Sequence, residues 1–117
     1  MSSVAVRWRF ERGEATAAEI DDVAREVLAE LHDPASEASA AATAAGLDPA
    51  SVRDARAEVA EGEQGAEPIL TTIIVGIVVS AGSKVAETLW KDVVWPRVRR
   101  RLGARALGTE KDRDQEG

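Results

Sequence analysis

Hydrophobic and polar positions alternate at the start of the chain and then change period. Val4, Val6, Trp8 and Phe10 are interleaved with Ala5, Arg7, Arg9 and Glu11. This period of two predicts a half-buried strand over 3–11, ended by Gly13. Thr16 and Glu19 have the spacing of a capping box. Beyond them Ile20, Val23, Ala24, Val27, Leu28 and Leu31 fall on one helical stripe, the strongest periodic signal in the chain. Pro34 ends that helix, because the residue before a proline is pushed out of helical geometry. Packing the strand on the helix brings Val4, Val6, Trp8 and Phe10 against Ile20, Val23, Val27 and Leu31.

The middle of the chain is less marked. Residues 35–46 are rich in Ala and Ser, which suits a loosely held helix with Gly46 as its C-terminal cap, or a linker. Asp48-Pro49 restarts a helix, with Asp as N-cap and Pro in the first turn, and Val52, Ala55 and Val59 form a thin stripe. A strand over 52–60 is the alternative. Glu61 to Glu67 carries two glycines among acidic residues and reads as a flexible hinge.

Pro68 to Ser83, PILTTIIVGIVVSAGS, holds sixteen uncharged residues in a chain of which 31% is charged. As a helix it extends for roughly 24 Å at about 1.5 Å per residue. A membrane span needs about 20 residues to cross about 30 Å. Extending the segment to Trp90 makes up the length, at the cost of including Lys84 and Glu87. Read as a strand, its Ile, Val and Thr content suits burial on both faces beside residues 3–11, with Ser83 capping the next helix. In that reading Ile74→Asp is expected to unfold the domain.

Residues 84–102 read as helical. Trp90, Val94, Val98 and Leu102 recur every four residues, and Pro96 either kinks the helix or opens a second one. The tail from Thr109 lacks apolar residues and is expected to be disordered.

Charge is distributed unevenly. The net charge is −6, but residues 1–67 hold six basic and fifteen acidic side chains, whereas 84–105 hold seven basic against Glu87 and Asp92. A basic band beyond an apolar run is a membrane-like arrangement, and an Arg-rich solvated helix end gives the same pattern.

Candidate chemistry is sparse. With no cysteine there is no thiolate nucleophile and no disulfide framework, which fits a cytoplasmic location or the cytoplasmic membrane. His32, the one histidine, falls at a helix C-terminus. Gly76, Gly82, Ser83 and Lys84 resemble a phosphate loop only loosely. The spacing is one residue too long and the order of Lys and Ser is reversed. No catalytic, cofactor or metal set emerges, and the acidic balance speaks against nucleic acid.

The fold expected is α+β. A small strand-plus-helices domain (1–61) and an acidic hinge (62–67) lead into an apolar segment and basic amphipathic helix (68–103), followed by a charged tail (104–117). The apolar segment is left open as a short membrane helix or a buried strand. The residues expected to meet a membrane or a protein partner are Ile73, Ile74, Val75, Ile77 and Val78 together with Trp90, Trp95, Arg97, Arg99, Arg100 and Arg101. The function expected is that of a non-enzymatic, membrane-associated adaptor or accessory protein, with a soluble protein-interaction module as the alternative. The partners expected are a protein, an anionic membrane and, in the module reading, a second copy of the chain.

This layout, ending in ETLWKDVVWPRVRRRLG, resembles the small effector-associated companion proteins of bacterial conflict (immune-type) systems, many of them encoded beside trypsin-like or NTPase partners. The resemblance covers the layout and residues 68–103 and carries over no functional residue. It implies a non-enzymatic adaptor or a membrane-acting component.

Overall fold

The computed structural model describes residues 3–63 and 71–116. Strand β1 (Val4–Arg12) forms where the alternation places it, with Val6 and Trp8 buried and Arg7 and Arg9 on the opposite face. Helix α1 (Ala17–Glu30) begins with the expected capping box. The Glu19 backbone N–H donates to Thr16 Oγ1 at 3.1 Å, and the Thr16 N–H donates to Glu19 Oε1 at 3.0 Å. Its buried stripe, Ile20, Val23, Ala24, Val27 and Leu28, is the one the periodicity marks. Helix α2 (Glu37–Ala44) follows, with Ser36 accepting from the Ser39 N–H. It closes on Gly46 at φ 86°, and the N–H groups of Gly46 and Leu47 bond back to Thr43 and Ala42. That positive φ is what glycine supplies at this position.

The next segment differs from the helix expected after Asp48-Pro49. Asp48 does cap and Pro49 does sit in the first turn, but the helix is a single 3₁₀ turn (Pro49–Val52) that buries Val52. The chain then extends as β2 (Arg56–Glu63). Ala57 and Val59 point toward the helices and alternate with Arg56 and Glu58, so a strand period underlies what also fits a thin helical stripe. Glu61 and Gly62 lie within β2, and Gln64–Leu70, including the rest of the expected hinge, fall outside the described residues.

The apolar stretch is a strand. β3 (Thr71–Val79) lies between β2 and β1 in an antiparallel sheet of order β2-β3-β1-β4. Val79, Ile77, Val75 and Ile73 stand opposite Val4, Val6, Trp8 and Phe10, all on the helix-facing side. β-Branched side chains pack well on such a pleated surface, and both edges of the strand find backbone partners. The membrane-span expectation is corrected accordingly. Among the described residues, no helix is long and apolar enough to cross a membrane.

Residues 83–102 form one helical run in three parts: α3 (Ser83–Thr88), a π turn (Leu89–Val94) and α4 (Trp95–Leu102). Gly82, at φ 116°, occupies the cap position and makes no side-chain cap bond, so Ser83 does not cap as expected. Pro96 falls in the first turn of α4, as the second of the two expectations has it, although the backbone stays helical through Val94. Its missing N–H and its ring are accommodated next to the widened turn, where the Trp95 N–H reaches Trp90 O.

The expected disordered tail is instead β4 (Leu107–Glu116), antiparallel to β1. Its ladder needs only backbone groups, and it is anchored by buried Ala106 and Leu107. The sheet therefore joins β1 and β2 to β3 and β4. The helices cover one face; the other carries Arg7, Arg9, Ile74, Gly76 and Glu58.

Candidate functional site: an aromatic cleft

The chain has four aromatic side chains, and the fold brings all of them together. Trp8 and Phe10 are two apart on β1 and so share the helix-facing side. Trp90 and Trp95 are five apart on the helical run. In a regular α-helix five residues turn through about 500°, which leaves the two rings about 140° apart. The π turn widens one coil of the helix and puts them on the same side, with ring centroids 5.8 Å apart. Trp90 stacks on Trp8 at 5.9 Å and tilts against Phe10 at 6.0 Å. These separations are favourable for aromatic pairs, each worth about 0.5–1.5 kcal/mol beyond area burial.

Trp8 and Trp90 are buried, whereas Phe10 and Trp95 are half-buried and open onto a cleft of about 290 Å³. Leu107 and Gly108 line its far side, and Lys91 and Glu110 flank the mouth. A second irregularity falls here, since the β1–β4 register shifts on either side of Phe10. Bulges and π turns re-aim side chains and are frequent at functional sites. Gly108 is required by close approach: a Cβ there would lie 2.8 Å from Glu11 O.

The polar rim is asymmetric. Lys91 Nζ donates to Glu87 Oε1 at 2.9 Å, and Arg113 Nη1 donates to Glu87 Oε2 at 2.6 Å. The Lys91 hydrogen bond, followed by the contribution of Arg113, holds the Glu87 carboxyl below its ordinary value against partial desolvation. Glu110 makes no ion pair or hydrogen bond through its carboxylate among the described residues. The cleft thus offers aromatic faces, an aliphatic wall and one unengaged acceptor. It holds no nucleophile–base pair, and among the described residues no group of His, Asp or Glu is placed to hold a metal ion. Such a surface can receive a large apolar or aromatic side chain.

The residues expected to make contacts divide in the structure. Ile73, Val75 and Ile77 are fully buried in the core under the helices, whereas Val78, 8% exposed, falls on the uncovered sheet face between Ala5 and Arg56. Ile74 lies half-buried on the uncovered sheet face. Trp90 is the buried centre of the aromatic group, and Trp95 is its exposed edge. Arg97 is half-buried and donates to Val93 O at 3.1 Å. Arg100 pairs with Glu37 at 3.3 Å and Arg101 with Glu26, while Arg99 is exposed without an ion pair among the described residues. Arg100 and Arg101 are therefore tied to acids of α2 and α1, whereas Lys84, Arg99 and Arg105 have no ion pair among the described residues. Trp8, Phe10, Leu107 and Glu110 complete the cleft and were not expected there; the scarcity of aromatics was the one signal that could have grouped the rings.

Comparison with protein-family models, with curated proteins and with solved structures gives no match for this chain.

Proposed function

We propose that the chain is a non-enzymatic protein-interaction module that docks a large apolar or aromatic side chain of a protein partner in the cleft between β1, the π turn and β4. The observation that carries this reading is the convergence of all four aromatic rings on one opening, with Trp95 and Phe10 left half-buried at its mouth. Aromatic anchors in partly desolvated pockets dominate the energy of many interfaces. The resemblance to companion proteins of conflict systems agrees with an adaptor role.

The test is a peptide-display selection against the wild-type chain, with counter-selection against Trp95→Ala. The expected outcome is a family of Trp95-dependent binders sharing one large apolar or aromatic side chain. Binders that ignore Trp95, or no binders at all, would refute the reading.

A further inference from the structure

A second groove, independent of the aromatic cleft, lies on the opposite edge of the sheet. It has a volume of about 380 Å³ and runs between the C-terminal half of α1 and the start of β2. Leu28 and Ala57 form its floor, and Arg25, His32, Arg56 and Glu58 stand around it. β2 is an edge strand in the order β2-β3-β1-β4. Among the described residues, no other strand pairs with its outer side, and no loop backbone bonds to residues 56–62. The unpaired N–H and C=O groups of such an edge are a template for an added strand.

The charges around the groove select what fits. The acidic side chains of β2 are engaged elsewhere: Glu58 pairs with Arg7 at 3.7 Å and Glu61 with Arg12 at 3.4 Å, both reaching across β3 to β1. Gly76 lies between Arg7 and Glu58 in the sheet register, so the first of these pairs crosses over a residue with no side chain. Arg56 has no ion pair among the described residues, and Arg25 is tied only to Asp21, with its side chain 69% exposed. In a chain of net charge −6, this groove carries a local basic surplus.

We propose that the groove binds an extended acidic segment of a protein partner, which adds to β2 as a fifth, edge strand. Its inward side chains are apolar and rest on Leu28 and Ala57; its outward side chains are carboxylates that meet Arg56. Backbone hydrogen bonds supply affinity, and the alternation of apolar and acidic residues supplies selectivity.

The test uses the full chain and a synthetic acetylated, amidated peptide, Thr-Val-Glu-Val-Glu-Val-Thr, followed by backbone amide NMR shifts. The expected result is saturable shifts over residues 56–60. Affinity should fall at least tenfold with Arg56→Glu, with Lys in place of both Glu, and with N-methylation of alternate peptide amides in one of the two frames. The proposal is overturned by equal binding of the Lys peptide, by indifference to N-methylation in both frames, or by no shift at millimolar peptide. It is also overturned if the shifts fall only at the aromatic cleft, which would leave the docking function standing, or if β2 proves to be covered by a second copy of the chain in solution.

Discussion

Two isoleucines of β3, three positions apart and on opposite faces, should respond to the same substitution in opposite ways. Ile77 is fully buried between Val6 and Ala57 on the helix-facing side. Ile74 stands between Arg9 and Ala60 on the uncovered face, half-buried and leaning over Gly62. Ile77→Ala removes three buried carbons, about 2.4 kcal/mol at ~0.8 kcal/mol each. The residual cavity raises the total to about 3–4 kcal/mol. For a domain whose whole stability is of order 5–15 kcal/mol, that is a large fraction. Ile74→Ala leaves no enclosed cavity and should cost about 1 kcal/mol or less. The aspartate pair sharpens the contrast. Ile77→Asp buries an unpaired charge and should abolish folding. Ile74→Asp puts a carboxylate beside Arg9 with access to water, and the chain should stay folded, contrary to what a strand buried on both faces would imply. Urea denaturation followed by tryptophan fluorescence and circular dichroism measures all four. Equal costs for the two alanine variants, or a folded Ile77→Asp beside an unfolded Ile74→Asp, would refute the sheet register.

Other outcomes test separate contacts. Gly13→Ala should destabilise by about 1–3 kcal/mol in denaturant melts, because its Cβ would come within 2.3 Å of Arg105 O, and the loop 103–106 is held by backbone bonds to Glu14 and Ala15. The Glu87 carboxyl is depressed in the folded chain, so its stabilisation is fully present above the ordinary glutamate value of about 4.3 and is lost as pH falls through the lower folded value. Glu87→Gln should therefore lower stability at pH 7, and the difference from wild type should shrink as pH falls below the ordinary glutamate value, as read from urea midpoints across that range. Acrylamide should quench Trp95 far more than Trp8 or Trp90, and Trp95→Phe should remove most of the quenchable emission; unchanged quenching would contradict the cleft geometry.

The legible parts of the fold were those whose own side chains are amphipathic. β1 and α1 bury one face each, and their periods of two and 3.6 show it directly. β3 was legible as an apolar segment, open between a membrane helix and a strand, since its uncovered face carries Ile74, Gly76 and Val78 and so shows no polar alternation to read. β2 and β4 are edge strands. β2 has only two apolar residues, Ala57 and Val59, turned inward, a short alternation that left a strand over 52–60 as the alternative to a helix; β4 after Leu107 has no apolar residue at all, and nothing local encodes its backbone pairing to β1. The cleft was less legible still. Trp8 and Trp90 stack across more than 80 positions of sequence, and Phe10 meets Trp90 only because β1 passes under the helical run. The basic band was visible, but Glu37 and Glu26, the partners of Arg100 and Arg101, lie on other helices, so those two pairings were not.

The π turn is in effect a phase adjuster. Before it, the helical run must present Leu89 and Trp90 to the sheet; after it, the same run must present Val98 to the core and Arg100 and Arg101 to α1 and α2. A uniform α-helix fixes the angle between two such faces at about 100° per residue and cannot tune it. One extra residue in a single coil resets that angle, so two surfaces with incompatible helical frames are served by one continuous rod. Closing that coil to a regular α turn without removing a residue would therefore be a frameshift in space: every side chain beyond it would rotate about 100°, swinging Val98 toward solvent and separating the arginines from their glutamates, while the secondary structure stayed helical throughout.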